Sequence, residues 1–159
     1  MNHNLPNKAT KGFQNVRMTS GLFSSIKGNW ETPDDLFKQM DQEFNFTLDA
    51  CADQNNHKVS NYFNESENSL MNPWPGRVWC NPPYGRNLIN WVGKAYQEVK
   101  IGRAEVTVLL IPSRTDTKWF HDFCLKGEIR FIRGRLQFGE SHDNAPFPSM
   151  IVVFRRPVL

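Results

Sequence analysis

The sequence lacks the features that mark secreted, membrane-spanning and disulfide-stabilised proteins. Its longest apolar run covers residues 106–111, whereas a membrane-spanning helix needs about 20 apolar residues. Residues 1–20 are polar throughout and contain no signal segment. The three cysteines (Cys51, Cys80 and Cys124) are widely spaced and odd in number, which argues against a disulfide framework and against a zinc site. We therefore expect a cytoplasmic protein with no metal and no membrane contact.

Acidic residues are missing from residues 1–30. This segment contains four basic residues, Lys8, Lys11, Arg17 and Lys27. The whole chain has 19 basic and 16 acidic residues, so the part after residue 30 is nearly neutral. Residues 1–28 are rich in Asn, Lys, Ser and Gly without periodicity, which predicts a flexible basic arm. Such an arm suits a polyanionic partner, although a solvated tail without a partner fits the charge equally well. Residues 29–159 are predicted to form a single domain.

Apolar residues at helical spacing predict three helices. The first begins with Thr32 as N-cap and Pro33 at the first helical position, and the others end before Gly102 and Gly127. In the second helix, Glu98 is expected to point outward into solvent. The predicted buried faces comprise Leu36, Phe37, Met40 and Phe44, then Leu88, Trp91, Val92, Ala95 and Val99, then Trp119, Phe120, Phe123 and Leu125.

Strand-forming segments alternate with these helices over most of the chain. This order predicts a compact α/β sheet that is mainly parallel, with helices on both faces. The last two strands have little helix between them, which predicts an antiparallel edge pair. The predicted strands lie at residues 44–49, 78–80, 106–111, 128–132 and 150–154.

The most informative motif is Asn81-Pro82-Pro83-Tyr84, which follows the apolar run at residues 78–80. Each proline fixes φ and removes a backbone donor, so the strand cannot continue. The carboxyl end of a strand is where open α/β sheets bind ligands. The Asn81 side-chain oxygen and the Pro82 carbonyl can both accept hydrogen bonds from one NH2 group, while Tyr84 stacks on the ring that carries it. The motif therefore predicts a loop that binds and activates a planar amine, although a proline-rich loop can also simply end a strand.

Carboxylates follow the other predicted strand near this edge. Asp49 ends the first strand and precedes the small residues Ala50-Cys51-Ala52, which let a ligand approach the backbone closely. Asp49 is a candidate ligand contact or, alternatively, a turn cap. Glu65 and Glu67 lie in the polar loop between residues 53 and 76, and either carboxylate can bind the two hydroxyls of a ribose. Leu70, Met71 and Trp74 are predicted to anchor this loop to the core.

These segments resemble the small phage and prophage DNA N6-adenine methyltransferases, a Dam-like family that uses S-adenosylmethionine and has a Rossmann-like fold. The resemblance covers nearly all of the predicted domain, except that Cys51-Ala52-Asp53 stands where many methyltransferases have a glycine-rich loop. The matching pieces are Trp30-x-Thr32-Pro33, Leu48-Asp49-Ala50-Cys51-Ala52-Asp53 with Asn56, the acidic loop before Leu70 and Trp74, Asn81-Pro82-Pro83-Tyr84, Trp91-Val92-x-Lys94-Ala95, Pro112 with Arg114-Thr115-Asp116-Thr117-x-Trp119-Phe120, Gly134-Arg135-Leu136-x-Phe138 and Pro148-Ser149-Met150.

The resemblance implies roles for individual residues. The catalytic loop is Asn81, Pro82, Pro83 and Tyr84. The cofactor contacts that it implies are Trp30, Thr32, Pro33, Asp49, Ala50, Cys51, Ala52, Asn81 and one of Glu65 and Glu67. Four cations near strand ends are expected to face DNA phosphates together with Lys27 of the amino-terminal arm, although ordinary surface charge is an equally good explanation for each: Arg114, Lys118, Arg133 and Arg135.

The function implied is transfer of a methyl group from S-adenosylmethionine to the exocyclic N6 of adenine in double-stranded DNA, with the base flipped out of the stack. Other planar amines fit the motif chemically, namely cytosine N4, adenine in RNA and a protein glutamine amide. A catalytically silent DNA-binding module that keeps the fold is a further alternative.

Overall fold

A computed structural model describes residues 30–157, which form one five-stranded sheet and three α-helices. The strands are β1 (Leu48–Asp49), β2 (Gly76–Cys80), β3 (Ala104–Pro112), β4 (Glu128–Phe131) and β5 (Ser149–Arg155). The helices are α1 (Asp34–Phe44), α2 (Leu88–Lys100) and α3 (Lys118–Asp122), and short 3-10 turns lie at Glu65–Glu67, Ser69–Met71 and Cys124–Lys126. The predicted arm at residues 1–28, with Lys27, lies outside the described residues.

The sheet order is β1-β2-β3-β5-β4. Strands β1, β2 and β3 are parallel, and β5 runs antiparallel to both β3 and β4. The α/β class and the antiparallel pair are confirmed, but the sheet is parallel on one side only. The reason is that no helix joins β4 to β5, so the chain returns antiparallel and inserts between β3 and β4.

Helices α1 and α2 pack on opposite faces of the sheet, as predicted. The Phe37 ring of α1 meets the Trp79 ring edge-to-face at 5.5 Å, and the Thr107 hydroxyl donates to the Ala95 carbonyl of α2 at 3.1 Å. Trp79 pairs with Val108, the neighbour of Thr107. Because successive side chains of a strand point to opposite faces, the two contacts lie on opposite faces. In the described part of the chain, no helix is long and apolar enough to cross a membrane.

Helix α1 begins two residues after Thr32, so the predicted cap is wrong. Pro33 occupies the N-cap position without a side-chain hydrogen bond, and the Thr32 hydroxyl accepts from Asn81 instead. The predicted buried face is confirmed, because Phe37, Met40 and Phe44 are buried. The helix extends through Phe44, which shortens the predicted strand 44–49 to the two residues of β1.

Glu98 is buried with 1% of its surface exposed, which contradicts its predicted outward orientation. Its carboxylate accepts the Trp74 backbone N–H at 3.0 Å and pairs with Lys94 at 2.7 Å and Arg103 at 3.1 Å. A buried carboxylate is tolerated when cations and N–H donors surround it in this way. Trp74 is fully buried as predicted.

Two predicted anchors are exposed instead. Met71, expected to hold the loop at residues 53–76, is 79% exposed, and Leu125 of the third predicted helix is 56% exposed. The third helix ends early, at Asp122, and continues as the 3-10 turn Cys124–Lys126 up to Gly127. This change of helical type turns Leu125 away from the face that Trp119 and Phe120 bury.

Candidate active site at the carboxyl end of the parallel strands

A cavity of about 390 Å³ opens where β1 and β2 end. This volume lies in the range of small-molecule sites, roughly 300–1,000 Å³. Its walls carry four acidic side chains and one lysine: Glu31, Asp49, Asp53, Glu65 and Lys58. Aromatic and apolar groups form the rest of the lining, chiefly Trp30, Phe63, Leu70, Trp79 and Trp91. The cavity therefore combines negative charge with flat apolar surfaces.

Asp49 lies at the inner end of this cavity with 2% of its surface exposed. Its carboxylate accepts backbone N–H groups from Cys51 at 3.3 Å and from Lys58 at 3.0 Å. Burial raises the pKa of Asp49 to about 6, although these hydrogen bonds and the nearby His57 and Lys58 act in the opposite direction. Asp49 is thus a turn cap by its bonds, while its contact with a ligand stays a prediction.

The residues after Asp49 form the floor of the cavity. The Ala50 N–H donates to the Trp79 carbonyl at 2.8 Å, and the Ala52 N–H donates to the Phe63 carbonyl at 3.0 Å. Cys51 and Ala52 line the cavity directly. Burial raises the pKa of the Cys51 thiol to about 12, and the neighbouring Asp49 adds to this shift. The thiol therefore stays protonated and does not act as a nucleophile.

The Asn81 amide is held on both of its sides. Its Nδ2 donates to the Trp30 carbonyl and, at 3.1 Å, to the Thr32 hydroxyl. Its Oδ1 lies 2.9 Å from the Tyr84 hydroxyl, which donates to it. A carbonyl oxygen accepts hydrogen bonds only, so Trp30 fixes which end of the amide is the nitrogen. Pro82 and Pro83 complete the loop and also line the cavity.

Tyr84 is held in place by the protein itself. Its side chain is 8% exposed, and its hydroxyl also lies 3.1 Å from the Leu110 carbonyl. The ring meets Phe147 edge-to-face at 5.5 Å and Phe138 at 6.4 Å. Burial raises the pKa of the phenol well above its usual value, so the hydroxyl stays protonated. Tyr84 lines the cavity, and its predicted stacking on a base stays a prediction.

Residues 30–32, which we call the strap, connect three parts of the site. Trp30 and Thr32 contact Asn81. The Glu31 carbonyl accepts the Gly139 N–H at 3.0 Å, and the Glu31 carboxylate lies 3.5 Å from the Lys58 ammonium. The Trp30 ring packs edge-to-face on Phe138 and Phe147, at 5.1 and 5.2 Å. Sequence reasoning missed Glu31, Lys58 and Phe147, because these contacts span long stretches of chain and leave no local pattern.

The two candidate ribose acids differ in position. Glu65 lines the cavity. The Glu67 carboxylate accepts the Asn64 N–H at 2.8 Å in a capping box and is not among the lining residues. Pro33 also lies outside the lining, at the start of α1.

The predicted DNA-contacting cations follow β3 and β4. These two strands run in the same direction, because each is antiparallel to β5. Arg114, Arg133 and Arg135 therefore lie at the same edge of the sheet as the loop of Asn81, and all three are exposed. Within residues 30–157 none of the three arginine side chains has an ion-pair or hydrogen-bond partner, whereas Lys118 pairs with Asp122.

Comparison with known proteins finds methyltransferases in each case. The family described as DNA N-6-adenine-methyltransferase (Dam) matches residues 19–158. A "DNA N-6-adenine-methyltransferase" of Haemophilus phage HP1 is 37% identical over 146 residues, and the match covers 85% of this chain and 83% of that protein. A protein of Escherichia coli strain K12 named "Putative methyltransferase YfdM" is 33% identical over 67 residues, or 37% of this chain and 74% of that protein.

Proposed function

We infer the function from one premise, that the chain belongs to the DNA N-6-adenine-methyltransferase (Dam) family. It is a DNA methyltransferase that modifies the N6 amino group of adenine. The observation that carries the assignment to this site is the Asn81 amide, fixed at the edge of a small-molecule cavity with its oxygen available to a donor. The mixed α/β sheet supports a Rossmann-like methyltransferase domain spanning residues 29–159.

The cavity suits S-adenosylmethionine as the methyl donor. This cofactor carries a cationic sulfonium, a cationic amino group, a ribose with two hydroxyls and a flat adenine ring. The four acidic side chains of the lining match the cations and hydroxyls, and the aromatic walls match the ring. When bound, the cofactor supplies a methyl group that leaves with the C–S bond broken. We assign Asp49 to Ala52 and Trp30 to its binding, with Glu65 rather than Glu67 at the ribose.

Asn81 and Pro82 would then hold the target amine. The Asn81 oxygen and the Pro82 carbonyl accept its two hydrogens, so that the nitrogen lone pair is directed at the methyl carbon. The new N–C bond forms as the C–S bond breaks, and the amine afterwards loses one proton to solvent. This step needs no general base, because the proton leaves after the transfer. Tyr84 stacks on the flipped adenine, which offsets part of the cost of unstacking.

Cofactor binding should depend on pH through Asp49. Because its pKa in the free site is about 6, the carboxylate is partly protonated at pH 5 and must ionise beside a bound cation. We expect the affinity for S-adenosylmethionine to rise between pH 5 and 7.5 and then to level off. The gain over this range is at most about tenfold, because only about one pH unit of the range lies below the pKa of the free site.

Isothermal titration calorimetry across this pH range tests whether the ionisation of Asp49 controls the affinity for S-adenosylmethionine. Asp49→Asn is the matched control, because it removes this titration and leaves His57 in place. We expect weaker and nearly pH-independent binding from the variant. A pH profile of the variant as steep as that of the wild type would assign the titration to another group.

We further propose that Arg114, Arg133 and Arg135 contact DNA phosphates, together with Lys118 and with Lys27 of the amino-terminal arm. All the arginines among them are exposed at the edge that carries the cavity, and they lack partners among the described residues. Residues 30–157 hold only this one sheet, so loops at this edge, rather than a separate domain, would select the DNA sequence.

Replacing Arg133 and Arg135 together with alanine should weaken DNA binding and flatten its salt dependence. Each lost phosphate contact lowers the slope of log K against log salt concentration by about 0.9. Fluorescence anisotropy with a labelled duplex at several salt concentrations measures this slope. Lys126→Ala is the control, since Lys126 precedes β4 and so lies at the opposite edge of the sheet. An unchanged slope in the double variant would remove these arginines from the DNA interface.

The proposed function is tested by incubating the protein with unmodified DNA and S-adenosylmethionine labelled in its methyl group. We expect label in the DNA, dependent on the protein and blocked by S-adenosylhomocysteine. Cofactor binding without label in DNA would redirect the assignment to RNA or protein amines. DNA binding without any cofactor binding would support the silent DNA-binding module.

A further inference from the structure

We infer that Thr32 is a positioning residue that holds the Asn81 amide so that only its oxygen faces the target. This inference rests on the proposed function of Asn81 and assigns Thr32 a task other than binding the cofactor. The Thr32 side chain is 4% exposed and reaches Asn81 across 49 residues of chain.

The hydrogen bonds of the Asn81 nitrogen are complete. An amide nitrogen has two hydrogens, and these go to the Trp30 carbonyl and to the Thr32 hydroxyl. Turning the amide over would place Oδ1 against the Trp30 carbonyl, two acceptors in contact, and would leave the NH2 group with the Tyr84 hydroxyl as its one acceptor in place of two. A polar group left unpaired in this way is unfavourable in a partly buried site. The strap therefore selects one orientation of the amide.

The Asn81 oxygen, by contrast, can accept a further hydrogen bond. It has two lone pairs, and its neighbour is the Tyr84 hydroxyl at 2.9 Å. That hydroxyl has one hydrogen and two acceptors in reach, Asn81 Oδ1 and the Leu110 carbonyl at 3.1 Å. At least one lone pair of Oδ1 is thus open to a donor at all times. The site accepts a hydrogen bond from its target, which selects an amino group over a carbonyl oxygen at the same place.

Thr32 is the part of this arrangement that can be removed without changing its shape. Thr32→Val keeps the branched side chain and deletes the acceptor, whereas Thr32→Ser keeps the acceptor. We expect Thr32→Val to lower the single-turnover rate of methyl transfer about tenfold at saturating DNA and cofactor, with the Kd for S-adenosylmethionine within about threefold of wild type. Thr32→Ser should retain nearly the wild-type rate.

The measurements are rapid-quench methyl transfer, cofactor calorimetry and thermal unfolding for both variants. A wild-type rate in Thr32→Val would refute the positioning role. A loss of cofactor affinity as large as the loss of rate would show instead that Thr32 binds the cofactor. The wild-type assay separates the two claims: a wild type that fails to methylate DNA refutes the proposed function, whereas an active wild type leaves only the role of Thr32 in question.

Discussion

Replacing Asn81 with alanine is expected to lower the rate of methyl transfer by about a thousandfold, while the protein stays folded and still binds S-adenosylmethionine. The expectation follows from the geometry: Asn81 Oδ1 is the one side-chain carbonyl oxygen in the catalytic loop, and it is held in a fixed orientation by the strap and by Tyr84. Removing a fixed, preorganised hydrogen-bonding group costs about 10²–10³ in turnover in other enzymes. Loss of the contacts between Asn81 and the strap adds to this loss of turnover.

The matched control is Asn90→Ala, the same substitution at an exposed position of α2. Single-turnover kinetics give the rate, and calorimetry gives the cofactor affinity. We expect Asn90→Ala to match the wild type in both. An Asn81→Ala protein with more than about a tenth of the wild-type rate would contradict the catalytic assignment, because a thousandfold effect corresponds to about 4 kcal/mol of activation free energy.

Glu98→Ala is expected to lower the free energy of unfolding by about 3–5 kcal/mol, the cost of removing one partner of a buried ion pair. Its carboxylate is bonded to Lys94, Arg103 and the Trp74 backbone N–H, and all of these lose their partner at once. Urea unfolding followed by circular dichroism measures the change.

The same substitution should also weaken cofactor binding, through Trp74. The Trp74 indole N–H donates to Ser69 at 3.0 Å, and its ring lies 6.1 Å from that of Trp91. Ser69 and Trp91 both line the cavity. Glu105→Ala is the control, since Glu105 forms an exposed ion pair with Arg77, worth at most about 1 kcal/mol. Equal losses of unfolding free energy in the two variants would show that the buried cluster around Glu98 stabilises the fold no more than an exposed ion pair does.

The sequence contained enough local information for most of the fold. The spacing of Phe37, Met40 and Phe44 marks the buried face of α1, and the apolar run at residues 106–111 marks the central strand β3. The two prolines after Asn81 end β2 where the cavity begins. Each of these signals depends on residues close together in the chain, which is why periodicity and proline geometry predict them.

Contacts between distant residues were not predictable in this way. Thr32 has the ordinary pattern of a helix cap, yet its hydroxyl serves Asn81. Glu98 occupies an apparently outward helical position, yet Trp74 and Arg103 enclose it. In both cases the polar side chain bonds to a residue that lies far away in the sequence and not to solvent or to a neighbour in the chain. Local sequence patterns contain no information about such partners. The strap belongs to the same class, since it joins segments that lie far apart in the chain.

The central claim is that this site methylates the N6 amine of adenine in DNA. The most direct test is to digest DNA methylated by the protein and identify the modified nucleoside by mass spectrometry. We predict N6-methyl-2′-deoxyadenosine, produced by the wild type and absent with Asn81→Ala. N4-methyl-2′-deoxycytidine would keep the amine chemistry of Asn81 and Pro82 but contradict the assignment of the base. DNA left without any methylated nucleoside, by a protein that binds the cofactor, would contradict the claim itself.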